Sequence, residues 1–108
     1  MDIEKFKLLV KEIGVSNISF SNHFHLREKL RGISESNIID KLKDCNGLIL
    51  MEEKGAEPKG NKYKLLFKHM SNYDLKIVIS VKDKHINVIT AHIQNIKKRK
   101  AYKAWSGT

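Results

Sequence analysis

Ile3, Phe6, Leu9, Val10 and Ile13 recur at helical spacing, which gathers them on one stripe and predicts a helix over about 3–13. Asp2 is placed to cap that helix and Gly14 suits its stop. Ile18-Ser19-Phe20 is a short β-prone stretch ending at Ser21, after which Phe24, Leu26 and Leu30 allow a second helix as far as Gly32. Ser34 opens a third helix. Its hydroxyl can accept from the exposed amides of the first turn, Glu35 favours the positive helix end, and Ile38, Ile39 and Leu42 form the buried stripe. Asn46-Gly47 should stop it.

Beyond Gly47 the period shortens. Leu48 to Glu52, Lys62 to Lys68, Leu75 to Lys82 and Ile86 to Ile93 are apolar or alternating runs, which read as four strands. They are separated by turn material: Gly55 to Asn61, Ser71-Asn72 and Lys82-Asp83-Lys84-His85. Pro58 and Gly60 are expected in an exposed loop, since proline cannot donate to a sheet ladder. Four strands with short connections form an antiparallel meander, and its apolar face needs a cover. Helices first and strands afterwards therefore predict an α+β fold, with the N-terminal helices packed on one face of a four-stranded antiparallel sheet. Lys97 to Trp105 reads as a final amphipathic helix or a loose basic tail. No internal repeat or linker is visible.

The 108 residues suffice for one hydrophobic core and are too few for two. A single domain over 1–108 is expected, with a helical extension at 1–17, a core at 18–93 and a basic tail at 94–108. The apolar fraction of 41% beside 31% charged residues argues against a disordered chain. The longest uncharged apolar runs, Leu48 to Met51 and Ile77 to Ile79, fall far short of the about 20 residues of a membrane helix. Met1-Asp2-Ile3-Glu4-Lys5 alternates acid and base where a secretory signal has a positive stretch and then an apolar one, so a cytoplasmic protein is expected. Cys45 stands alone, which excludes an intrachain disulfide and a cysteine-only zinc site. The sequon Asn17-Ile18-Ser19 then carries no weight.

The net charge of +9 is unevenly spread. Residues 1–54 hold nine Lys/Arg and nine Asp/Glu, whereas residues 55–108 hold twelve and three. No carboxylate follows Asp83, while Lys84, Lys97, Lys98, Arg99, Lys100 and Lys103 do. Such an end attracts polyanions. Lys64 on the second strand and the run Lys97, Lys98, Arg99 and Lys100 are the candidate RNA-binding residues. The plainer reading of the run is a solvated basic tail. Only Tyr63, Phe67 and Tyr73 are aromatic on the strands, too few for a base-stacking platform.

Gly55-Ala-Glu-Pro-Lys-Gly60 has the glycine spacing of a phosphate-binding loop, but Asn61 occupies the lysine position and no helix follows. Dinucleotide, zincin and α/β-hydrolase motifs are absent. His23 and His25 would share a metal only on a strand, and their setting favours a helix start; His69, His85 and His92 have no diagnostic spacing. No metal and no cofactor is expected.

His23, Arg27 and Arg31 are spaced by four, so a helix would set an acid/base imidazole beside two guanidinium groups. Arginine grips phosphate oxygens with a fork of donors, and the combination suits phosphodiester chemistry. On spacing alone a solvated helix face, neutralised by Glu28 and Glu35, explains the pattern as well.

The motif His-x-x-x-Arg-x-x-x-Arg-Gly-Ile-Ser at residues 23–34, with a helix and then strands ending in Val88-Ile89-Thr90, resembles a family of small prokaryotic proteins within the RelE/BrnT-like toxin group. That group is similar to the barnase, EndoU, colicin and RelE-like ribonucleases. Residues 88–102 resemble the closing strand and basic helix of BrnT-type toxins, with His92 where those usually carry arginine. The resemblance covers about residues 19–102. It implies a RelE/barnase-like fold and a metal-independent endoribonuclease that cleaves RNA through its 2′-hydroxyl, on the ribosome or free of it. It implies His23 and His92 for proton transfer, Arg27 and Arg31 for the phosphate, Thr90 for an orienting hydrogen bond, and an acidic antitoxin as partner. The competing reading is a non-catalytic RNA- or protein-binding module that keeps the basic surface.

Overall fold

A computed structural model of the chain describes residues 3–25, 33–57 and 60–97, and side chains outside 54–60 within them. The first helix, α1 (Ile3–Ile13), has the expected bounds and buries Phe6, Val10 and Ile13; the cap expected of Asp2 lies outside the described residues. A 3₁₀ turn, Val15–Asn17, follows Gly14, whose φ of 85° is open to glycine at little cost. The chain then enters β1 (Ile18–Phe20) and begins a helical turn at Asn22. The expected continuation through Leu26 and Leu30 to Gly32 lies outside the described residues.

The next helix, α2 (Glu35–Asp44), is capped as its sequence requires: the Ser34 side chain accepts from the Asn37 amide at 3.3 Å. Ile38 and Leu42 are buried, and Ile39 is only half-buried. Cys45 ends the helix in the left-handed region at φ 51°, its amide donating to the Lys41 carbonyl.

Strands β2 (Leu48–Glu57), β3 (Gly60–Met70), β4 (Tyr73–Lys82) and β5 (His85–Asn95) run antiparallel to their neighbours in sequence. The α+β class is as expected. The sheet is not the expected four-stranded antiparallel one: it has five strands in the order β1-β5-β4-β3-β2, and β1 lies parallel to β5 with Ile18 opposite Ile86 and Phe20 opposite Val88. Three residues suffice to satisfy part of an open strand edge, and so short a run carries no periodic signal of its partner.

The strands also run longer than the hydrophobic alternation suggested. Gly60 is not in a loop but opens β3, paired with Glu57; Pro58 lies outside the described residues. A register shift between Lys54 and Ala56 absorbs Gly55 within β2, which is why the glycine did not mark a loop. The β4–β5 turn shrinks to Asp83-Lys84, both at positive φ, as a two-residue hairpin of right-handed twist requires. His85 therefore belongs to a strand.

One core joins these layers. Phe6, Val10 and Ile13 of α1 and Ile38 and Leu42 of α2 pack with Met51, Tyr63, Leu65, Phe67, Leu75, Ile77, Ile79, Ile86 and Val88 of the sheet. The Phe6 and Tyr63 ring centroids are 5.8 Å apart. The segment 1–17, expected as an extension, thus contributes Phe6, Val10 and Ile13 to the same core as 18–93.

Candidate functional site

With alternate residues committed to the core, the intervening ones form the opposite face of the sheet. Cross-strand register arranges that face in rows. Lys62, Ser80, Asn87 and Ser19 make one row; Glu52, Lys64, Val78 and Thr90 the next; Leu50, Leu66, Lys76 and His92 the third. Lys82 and His85 stand opposite each other at the turn end. The face is rich in lysine, and its acids are few: Glu52 lies 4.0 Å from the Lys64 ammonium, and Asp74 is fully buried.

A single extra residue decides which side chains of β5 reach this face. The β4–β5 register slips between Val78 and Ile79, so that Thr90 opposes Val78 while Val88 opposes Ile79, leaving Ile89 as a bulge. Ile86 and Val88 point into the core, and so does Ala91. Without the bulge Thr90 and His92 would share the core face of Val88.

Ser21 fastens the bulge to the segment that carries His23. Its amide donates to the Val88 carbonyl at 2.9 Å, its hydroxyl donates to the Ile89 carbonyl at 2.6 Å, and the same oxygen accepts from the Phe24 amide at 3.1 Å. One side chain thereby caps a helical turn and ties it to β5. The result is a pocket of about 590 Å³ whose described lining includes His23, His85, Lys62, Lys82, Ser80 and Asn87. His85 is held in turn by Ser19, whose hydroxyl lies 2.8 Å from Nε2 and donates to Asn87 Oδ1 at 3.2 Å.

Of the residues expected from the sequence, His23 enters this pocket. Thr90 and His92 lie on the same sheet face, half-buried, one and two rows beyond Asn87, and are not among the described lining residues. Lys64 also stands on that face, between Glu52 and Val78. Lys97 is exposed just past β5, its amide donating to Asn95 Oδ1. Arg27, Arg31, Lys98, Arg99 and Lys100 lie outside the described residues. His25 is not among the described lining residues: it packs edge-on to Phe24 and brings Nδ1 to 3.6 Å from Glu35. Among the described residues no group of three His, Cys, Asp or Glu could hold a metal ion.

The sequence reading missed Lys62, Ser80, Lys82, His85 and Asn87. One signal was present: Lys62, Lys64, Leu66 and Lys68 alternate with Tyr63, Leu65 and Phe67, so the lysines had to share one face. His85 carried no such mark, because a turn of two residues or of four fits the same letters.

Chemically, the pocket offers two imidazoles and two ammonium groups, the latter suited to an anion, with the Asp83 carboxylate also in its lining. No protein-family model matches the chain, and neither a curated protein nor a solved structure does.

Proposed function

We propose that this chain is a metal-independent endoribonuclease of toxin type, of the RelE/BrnT-like group, which cleaves RNA by attack of the ribose 2′-hydroxyl on the neighbouring phosphorus. The observation that carries the reading is that His23 shares one pocket with a second imidazole, His85, and with Lys62 and Lys82. In this chemistry one group takes the hydroxyl proton and another protonates the leaving oxygen, and positioned proton transfer contributes about 10²–10⁴-fold. Negative charge grows on the non-bridging oxygens, where fixed cations stabilise it. Lys62 and Lys82 supply such cations in the pocket, and the reading keeps Arg27 and Arg31 as phosphate-binding residues. Only RNA has the attacking hydroxyl.

The rows beyond the pocket, with Lys64, Lys76, Thr90 and His92, give the flanking nucleotides a basic track. Lys97, Lys98, Arg99 and Lys100 extend the attraction. An acidic antitoxin fits the same face, and the ribosome is one setting in which such an enzyme meets RNA. Among the described residues no helix is long and apolar enough to cross a membrane; the reading places the protein in the cytoplasm, where RNA is met. The lysine track also suits a second reading, an RNA-binding module without chemistry, because the track runs past the pocket and serves binding alone.

His23→Gln separates the two readings. Cleavage should fall by about 10²–10⁴-fold while RNA affinity changes little, because a neutral imidazole adds little charge to binding. Full cleavage by the variant, once contaminating nuclease is removed, overturns the role of His23. Binding by the wild type with no cleavage of free or ribosome-bound RNA favours the binding module.

A further inference from the structure

The hydrogen bonds around His85 bear on which ring nitrogen carries its proton. Ser19 donates its hydroxyl proton to Asn87 Oδ1, and the same oxygen lies 2.8 Å from His85 Nε2. A serine hydroxyl has one proton for these two neighbours, and when it goes to Asn87 Oδ1, which can only accept, lone pairs are left towards His85. Nε2 is then the protonated nitrogen of the neutral ring, and Nδ1 keeps the free lone pair. Among the described residues Nδ1 has no hydrogen-bond partner.

Strand register brings this arrangement about. Ser19 sits opposite Asn87 in the parallel β1–β5 pair, and His85 lies two residues before Asn87 on the same face. The side chains of Ser19, His85 and Asn87 are thus brought together by backbone pairing. The charged and titratable groups about His85 are Lys82 across β4, Asp83 and Lys84 in the turn, Lys62 from β3 and His23 from the helical turn. Apart from Asp83 these are cations or imidazoles, as a site for a phosphodiester needs.

We propose that His85, held as its Nε2–H tautomer by the positioning residue Ser19, takes the proton from the attacking 2′-hydroxyl. This rests on the ribonuclease reading above and assigns to His85 the proton-transfer part that the sequence motif gave to His92. The O2′–P bond forms as the P–O5′ bond breaks. The hydroxyl proton passes to Nδ1 of His85, and protonated His23 gives its proton to O5′. The products are a 2′,3′-cyclic phosphate and a free 5′-hydroxyl, and no co-reactant is consumed. A ring fixed with its lone pair on one nitrogen reacts without first shifting its proton, which is how an orienting partner assists a catalytic histidine.

The test has two arms. ¹⁵N NMR of the ligand-free protein should show the Nε2–H tautomer at His85, lost in Ser19→Ala and kept in Ser19→Thr. In cleavage assays kcat/KM should follow a bell in pH. His85→Gln should remove its ascending limb and lower kcat by about 10²–10⁴-fold. Ser19→Ala should move that limb and lower kcat about tenfold, the worth of one hydrogen bond, with KM unchanged; Ser19→Thr should restore both. An Nδ1–H tautomer in the wild type overturns the proposal, and so does an ascending limb that survives in His85→Gln. If the wild type cleaves RNA but either of those results appears, the ribonuclease reading stands and only the present assignment fails. If the wild type cleaves no RNA although the tautomer is as expected, the ribonuclease reading fails and the acceptor role of His85 goes with it.

Discussion

Cys45 illustrates how place rather than type sets the chemistry of a residue. The residue is 3% exposed at the end of α2, and Sγ lies 3.4 Å from the Leu42 carbonyl. Burial pushes the thiol up from 9.0 to about 11, with Asp44 and Glu4 adding to the effect and Lys7 opposing it. The native state thus favours the protonated thiol. The stability this gives is complete below the unfolded value of 9.0 and is lost as pH climbs towards about 11. A thiol reagent such as Ellman's at pH 8 should label the native protein at least about a hundredfold more slowly than the urea-unfolded chain, since thiolate is the reactive form. Equal rates would mean that the α2–β2 corner opens freely. Tyr63 shifts in the same direction, chiefly through burial and then through the nearby Glu53. Its tilted contact with Phe6 and its place in the core account for the burial.

At the scale of elements, the functional geometry depends on joints rather than on the elements themselves. Ser21 joins β1, the helical turn at Asn22 and the β5 bulge through four hydrogen bonds, two of them made by its hydroxyl. Ser21→Ala should cost about 1 kcal/mol, the usual worth of a helix cap, and should release His23 from its register with the pocket. Amide exchange at Phe24 should quicken and cleavage should fall, whereas the circular dichroism spectrum stays that of the wild type. Retained protection at Phe24 would show that another group anchors the turn. The sequence motif placed His23 on a helix start correctly, and Ser34 as a cap was equally legible, because both depend on a few adjacent residues. That Ser21 is tied to Ile89, 68 positions away, was not.

For the whole molecule, a continuous core from Phe6 to Val88 implies one cooperative unit. Phe6→Ala should remove about 3–5 kcal/mol and lower the urea midpoint of the entire domain in one transition. A separate early transition confined to residues 1–17 would instead mark that segment as an independent appendage. The basic sheet face should govern RNA affinity through counterion release. Log affinity for single strands should fall with log salt at about −0.7 per phosphate contacted. Replacing Lys62, Lys64, Lys76 and Lys82 together with Gln should flatten that slope, and so should replacing Lys97, Lys98, Arg99 and Lys100. A slope unchanged in both quadruple variants would move the binding surface elsewhere.

The sequence by itself determined the class of fold and its layering. Helical stripes at Phe6, Val10 and Ile13 and at Ile38 and Leu42, followed by alternation through Tyr63, Leu65 and Phe67, can be buried only by laying helices on one sheet face. These are local periodicities, and a chain of letters displays them directly. It also determined that the lysines of β3 lie together, by the same period of two. Only the tertiary structure decided that Ile18 to Phe20 closes the sheet as a parallel fifth strand, and that His85 lines one pocket with His23 while His92 stands two rows beyond Asn87. The physical reason is that one extra residue at Ile89 reverses every side chain after it, and a bulge arises from pairing between strands rather than from the residues of one.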